Sequence, residues 1–594
     1  MHDMLHKLSL LLGLVRPTLY VLAMWVSLCL MFVGVGSLVR RLFRLRLDSG
    51  HSVFMSFWMG WVGWLVILQL WHLVLPVDWR AFVLLAAVGG AGLAWSGRDV
   101  WSLWRRLFPL RIAFCAVVGA AALLLAVLAI APPTHYDTGL YHLSAVRWGR
   151  TYPIVPGLGN LHGRLGFNCS YLLYVAMLEV GFWLSRSCHI ANGVLVLVFL
   201  AQAMGSVFKL LEDRHAPSTY HLFNVLVLPP ALGLGMGFHL SSLSPDLVVS
   251  VLGFVLSGQL LLLLTEGGHD ARKQRYALFY LATLAAVGIT VKLSFLVLGM
   301  VSLIVGLVAW RSRTQEGGKA AGRGTLALVG LAVAVPLVTW MVRGVILTGY
   351  VAYPSTVGSF DVEWRIPRGA VVAEADAIKG WARAPGPHYL EALGNWRWLR
   401  AWCMTLIHHW RFDVVYPIFL AVGGLFLQAT LLPKGSREGG GRLQWLFIAP
   451  SGLSLVFWFL TAPDPRFAVG AFWLLAAGVL SFVTRALSRS WPVLALWIAL
   501  GLSAVLSVDQ LRHVKPVGPG EDYGFHPTPR AELATFVTDS GLVVYVPQSR
   551  DKDQCWDGPL PCTPYREPSL RLRRPGQLRH GFAREAAATS GSKR

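Results

Sequence analysis

The apolar positions of this chain come in long unbroken blocks, separated by short polar intervals. They show neither the alternation of a half-buried strand nor the narrow stripe of a surface helix. The blocks are residues 18–39, 52–75, 80–96, 111–131, 189–210, 221–238, 246–264, 277–291, 294–310, 325–347, 411–431, 444–461, 467–484 and 491–508. Most approach the ~20 residues a helix needs to cross a bilayer core. Residues 169–187 are also apolar but include Glu179 and Arg186, which suits an interfacial or re-entrant helix. The stretch 277–310 is tight for two spans. It predicts two short helices broken around Gly288-Ile289-Thr290-Val291-Lys292, with the freed backbone groups lining a cavity. The pattern therefore predicts an all-α polytopic membrane protein of about 13–15 spans.

Composition agrees: 55% of the 594 residues are apolar and 14% are charged. The formal charge of +22 sits in short loops. Arg40, Arg41, Arg44 and Arg46 form one cluster, and Arg98, Arg105 and Arg106 another. Next come Arg272, Lys273 and Arg275, then Arg311, Arg313, Lys319 and Arg323. Lys434, Arg437 and Arg442 precede Arg485 and Arg489. These loops share one side if 169–187 does not cross, and the positive-inside rule makes that side cytoplasmic. Loops so placed meet anionic lipid head groups rather than nucleic acid. The same parity puts 132–168, 239–245, 348–410, 461–467 and the tail after 508 outside. It also puts the N-terminus outside, although Lys7 and Arg16 suit the inner side better. The first apolar run lacks the flanks of a cleaved signal peptide.

The predicted organisation is four-part. Residues 1–110 hold N-terminal transmembrane helices. Residues 111–508 form a transmembrane core with outer loops 132–168 and 348–410. Residues 509–570 form a small α/β unit with a strand at 541–547, and 571–594 a disordered basic tail. Of seven cysteines, Cys555 and Cys562 lie in the polar tail. If that region is extracytoplasmic they close a small disulfide loop; otherwise they are free thiols.

Candidate chemistry gathers at the outer ends of the spans. Asp137 lies in Thr134-His135-Tyr136-Asp137-Thr138-Gly139-Leu140-Tyr141-His142, where a carboxylate is either a general base or a helix N-cap. Its spacing to His135 and His142 matches no strong metal signature, so no metal or other cofactor is expected, although a divalent cation would suit those residue types. The run from Val155 to Asn168 is glycine-rich and includes His162 and Arg164, the latter suited to phosphate. Ser244-Pro245-Asp246 is a standard helix start that also puts a second acid at the outer face. Lys292 in the broken hairpin, Arg343 near the end of its span, and Asp464 and Arg466 in the short 461–467 turn complete the set. A cation at membrane depth is expensive and either serves a site or snorkels. Trp556 and Tyr565 in the tail either stack on sugar rings or pack.

These residues carry a resemblance. Asp137 with Tyr141 and His142, Ser244-Pro245-Asp246, Lys292, Arg343 with Thr348-Gly349-Tyr350 and Tyr353-Pro354, and Pro463 to Phe467 together resemble the GT-C class of membrane glycosyltransferases, protein mannosyltransferase-like and aminoarabinose-transferase-like. The likeness runs from about residue 111 to 508. Tyr136-Asp137, Tyr141-His142, the 155–168 run and Cys555 to Pro564 are similar to a group of bacterial polytopic membrane proteins of unassigned function. The resemblance implies a GT-C-like helix bundle in a bacterial inner membrane, with the C-terminus extracytoplasmic. It implies a polyprenyl-phosphate-linked sugar as donor and a glycan, lipid or protein as acceptor. Asp137 would be the base of an inverting single displacement. Lys292, Arg343 and Arg466 would hold the leaving phosphate and Asp246 would orient substrate. Tyr136, Tyr141, His142, His162, Arg164, Asn168 and Asp464 would line the site. Two other readings stay open: a transporter or flippase of a lipid-linked or anionic solute, and an assembly factor for envelope polymers. Enzyme and transporter both require a cavity, and the enzyme requires one open to the outer leaflet alone.

Overall fold

The computed structural model describes residues 2–106, 111–212, 218–237, 239–265, 270–313, 319–431, 437–486, 501, 520, 523–549 and 553–585. Among these, twelve helices are long and apolar enough to cross a membrane: Leu12–Leu42, Gly50–Trp71, Trp79–Asp99, Ile112–Ala129, Ser187–Glu212, Pro245–Thr265, Ala271–Val291, Leu293–Ser312, Gly322–Thr348, Arg411–Thr430, Arg442–Thr461 and Val469–Ala486. The block 491–508 lies almost wholly outside the described residues.

Three local expectations are corrected. Residues 221–238 form two short helices, Thr219–Leu226 and Leu228–Met236. Pro229 and Pro230 lack the N–H groups that would carry one helix through, and the chain turns at Val227. The 277–310 hairpin consists of two full-length helices. The first starts at Ala271, because Asp270 accepts the Arg272 and Lys273 amides as an N-cap. The break falls at Lys292, whose backbone is extended, rather than at Gly288. Within 169–187 the Tyr171–Leu178 helix is buried throughout, which removes the interfacial reading but not the re-entrant one; Gly181 and Leu184 beyond it are exposed. Glu179 is held by the amides of Ser185 and Ser187 and by the Ser187 hydroxyl.

The bundle has two chemically distinct ends. At one, Arg40 stacks over the Tyr276 ring, Arg275 donates to Thr325 at 3.2 Å and Arg485 to Thr219 at 2.6 Å. The broken pair runs from Thr219 at this basic end to the opposite end, where Asn192 Nδ2 donates to the His239 carbonyl at 2.8 Å. Its 18 residues at ~1.5 Å each span about 27 Å, so it traverses the bundle as a single helix would.

The first three helices are not a separate unit. Gly36 packs against the Ser56 backbone and Gly34 against Gly89, approaches that only small residues permit. Trp25 donates to the Ile190 carbonyl at 3.0 Å and Trp58 to Gln202 at 3.1 Å. One buried cluster runs from Val21 through Val483 to Phe525.

The tail from 523 docks on the non-basic end. Instead of an α/β unit, its described residues form two antiparallel pairs, β1 (Leu533–Val537) with β2 (Val543–Pro547) and β3 (Leu570–Leu572) with β4 (Phe582–Arg584). Residues 571–585 are thus ordered. Arg571 and Arg573 each reach Glu363 at 3.0 Å, Arg584 reaches Glu567 at 3.0 Å, and Phe582 is buried beside Trp148. Residues 586–594 lie outside the described ones. Arg16 lies over the Tyr523 ring at 5.2 Å, so the first helix begins at the same end as the tail.

Candidate functional site

Asp137 stands at the centre of the non-basic end. It does not cap a helix. Its backbone is already helical, it makes no side-chain cap bond, and the turn after it, Thr138–His142, is a wide π-type turn. Its carboxylate instead accepts from Arg164 Nη1 at 3.0 Å on Oδ1 and from Arg466 Nη1 at 3.1 Å on Oδ2. These come from 27 and 329 residues away. Burial alone would push the Asp137 carboxyl up. The Arg466 guanidinium, with Arg164, outweighs burial and holds it below the usual carboxylate range.

Each arginine has a second acid. Arg466 Nε lies 2.9 Å from Asp464, and Arg164 Nε 3.6 Å from Glu374. Burial opposes the Arg466 charge, but Asp464, Asp137 and Asp246 override it and raise its pKa. Lys292 pairs with Asp246 and lies 4.1 Å from the centre of the Phe467 ring. Asp246 owes its position to the helix start: Ser244 Oγ accepts its amide and Pro245 opens the helix.

A cavity of about 340 Å³ opens from this cluster. Asp137, Tyr141, Arg164, Lys292, Asp464 and Arg466 line its polar end. It continues between the Pro245–Thr265, Leu296–Arg313, Arg437–Thr461 and Val469–Ala486 helices, against Val249, Gly253, Leu298, Phe457 and Leu474. One end is ionic and the rest is mostly apolar, with the hydroxyls of Ser250, Ser454 and Thr461 among its lining groups.

The other candidate residues lie elsewhere. Asp246 stands behind Lys292 and does not line the cavity. Arg343 is separate: its Nε donates to Asn168 Oδ1 at 3.1 Å and its Nη1 to His72 Nδ1 at 2.8 Å. Asn168 sits in a left-handed conformation and also holds the Trp340 carbonyl, which makes it a strut between segments. His142 and His162 are buried behind the cavity wall, and burial lowers both pKa values to about 3. Tyr136 faces the tail and donates to Asp553 at 2.5 Å.

The tail sits on the Asp137 loop. Cys555 and Cys562 form a disulfide. Within its loop Trp556 donates its amide to the Gly139 carbonyl at 2.8 Å, and its ring packs against Gly139. Arg147 pairs with Asp557 at 2.8 Å. Trp556 therefore packs, whereas Tyr565 stays half-exposed 5.2 Å from the His162 ring.

Sequence reading missed Glu374 and Trp381, both on the Arg368–Arg383 helix. With Ala377 and Ile378 they bring the 348–410 segment to the cavity. The signal was available: positions 374, 378 and 381 follow the i, i+4, i+7 spacing of one helix face. Among the described residues no group of three or more His, Cys, Asp or Glu side chains is placed to hold a metal ion.

No curated protein and no solved structure matches the chain. The family model described as a domain of unknown function, DUF8201, matches residues 19–473, a range that takes in Asp137, Arg164, Lys292 and Arg466, and the chain belongs to that family.

Proposed function

We propose that the protein is an integral membrane glycosyltransferase of GT-C type. It moves a sugar from a polyprenyl-phosphate donor to an envelope glycan, lipid or protein on the extracytoplasmic side of a bacterial inner membrane. The observation that carries this reading is the cavity: an ionic end with three cations and the Asp137 carboxylate, continuous with an apolar channel between helices. That combination matches a phosphate joined to an isoprenoid tail. Lys292 and Arg466 take the phosphate, and the tail follows the apolar walls. The acceptor hydroxyl attacks the anomeric carbon. Its proton passes to Asp137, the bond from the anomeric carbon to the phosphate oxygen breaks, and the phosphate leaves with the electron pair, stabilised by the cations.

The ion pairs add a control. Without substrate, Arg164, Lys292 and Arg466 are already matched by Asp137, Asp246, Asp464 and Glu374. An arriving phosphate has to compete with Asp137 for Arg466. As that guanidinium turns to the phosphate, Asp137 loses its strongest stabilising charge and its basicity rises. The base is weak until the donor is bound.

The test is mass spectrometry of lipid-linked sugars and surface glycans. A deletion strain would carry wild type or Asp137→Asn at equal membrane abundance. Loss of one sugar with accumulation of its polyprenyl-phosphate donor, in both the deletion and the variant, is the expected result. Wild-type glycans with Asp137→Asn would remove Asp137 as base and bring transport of a lipid-linked solute, or polymer assembly, to the front.

A further inference from the structure

The cavity's three cations each have a carboxylate, but Arg343 has none among the described residues. It is 3% exposed. Its two recorded partners are neutral. His72 Nδ1 accepts from the guanidinium while His72 Nε2 lies 3.1 Å from the Tyr152 carbonyl, to which it can only donate. Both ring nitrogens are committed, and the ring stays uncharged. Asn168 Oδ1 brings no charge either. A buried arginine without a counter-charge is costly and calls for an anion.

Arg343 lines a recess of about 50 Å³ that shares Tyr141, Arg164, Phe167 and Cys169 with the main cavity. Trp148, on the recess wall, is 2% exposed and its indole Nε1–H has no acceptor. Arg343 Nη2 is unspent too. Two unsatisfied donors with one unmatched positive charge describe a site for a species that only accepts hydrogen bonds and carries a single negative charge. We infer that this recess binds a monoanion, and that its occupant is a carboxylate of the sugar or glycan substrate reaching in from the main cavity. A phosphate monoester dianion would leave one charge unmatched. The identity of the occupant as a sugar carboxylate rests on the glycosyltransferase reading; the anion site does not.

Equilibrium dialysis of the full-length protein in nanodiscs tests this with labelled glucuronate, with glucose as the neutral control and chloride as competitor. Glucuronate is expected to bind and glucose not. Arg343→Met should weaken glucuronate about ten- to a hundredfold, the effect of losing one charged hydrogen bond. Should that variant fold poorly, Ala145→Leu fills the recess from its wall and leaves the partners of Arg343 in place. It should abolish glucuronate binding. Equal binding of glucose, or glucuronate binding unchanged in both variants, overturns the inference. Displacement of glucuronate by chloride well below its own concentration makes the site an inorganic anion site and overturns the carboxylate assignment. Polyprenyl-phosphate-dependent transfer is measured in parallel. Transfer without glucuronate binding sinks the recess alone, and binding without transfer sinks the transferase reading alone.

Discussion

Gly139→Ala is the most direct probe of how the tail holds the site. A Cβ on Gly139 would fall 2.5 Å from Trp556 Cε2, 2.7 Å from Cδ2 and 2.8 Å from Cζ2. These are atoms of a rigid indole, on a loop closed by the Cys555–Cys562 disulfide and bonded to the Gly139 carbonyl. Neither side yields cheaply, and overpacking of this kind costs about 1–3 kcal/mol. The cost is paid where the two segments meet, so it lowers the free energy of local opening there. Hydrogen exchange at the Trp556 amide, the donor to Gly139, reads that opening directly. It should speed up about 5- to 150-fold in Gly139→Ala, at about 1.4 kcal/mol per factor of ten. Peptides from the basic end should exchange as before. In a Trp556→Ala background the added methyl loses its three closest neighbours, all atoms of the indole, so exchange over 134–147 should change little further. Acceleration under twofold, or the same acceleration with and without Trp556, would refute the docking.

Three further outcomes follow from the same geometry. Asp246→Asn strands the Lys292 charge and should destabilise the bundle by about 3–5 kcal/mol, with Asp246→Asn/Lys292→Met recovering part of the loss in a denaturation series. His142 and His162 are buried neutral with pKa about 3, below the ordinary value of 6.5, so the unfolded chain takes up protons first. Stability should be complete above about pH 6.5 and fall towards pH 3 by about 1.4 kcal/mol per unit for each histidine, and His162→Gln should flatten the slope of stability against pH. Reduction of Cys555–Cys562, or Cys555→Ser, should open the loop that carries Trp556 and accelerate proteolysis within 553–565 while the helices resist; equal protection of oxidised and reduced protein would show that the disulfide does not hold this contact.

The helices were legible because hydrophobic blocks of bilayer length have few other solutions. Their breaks were less so. Two prolines split 219–236 into two helices, yet its mean apolarity is that of an ordinary span. Asp270, a single polar residue, extended a helix by six residues through a basic cluster that sequence reading left as loop. At the site, Asp137, Lys292 and Arg466 were recognisable because ionic residues beside long apolar runs demand an explanation. Which cation meets which acid was not legible. Arg343 and Lys292 look alike along the chain, at outer span ends, but one is tied to Asn168 and His72 and the other faces the cavity. Pairings across 27, 46 or 329 residues depend on how helices rotate against one another, and a single sequence carries no record of that. The ordered 571–585 segment was missed for a related reason. Its arginines read as a solvated run because their partners, Glu363 and Glu567, lie outside it.

The seat of Trp556 beneath Gly139 joins positions more than four hundred residues apart. A ribosome would make the Asp137 loop long before its support. Until Cys555 and Cys562 have emerged on the same side as that loop and become oxidised, the Asp137 loop lacks the Trp556 contact. Chains stopped short, or delivered to a reducing compartment, would carry every ionic residue of the cavity and still lack its scaffold. The polar end of the cavity would then gain its support only once residues 553–565 are in place.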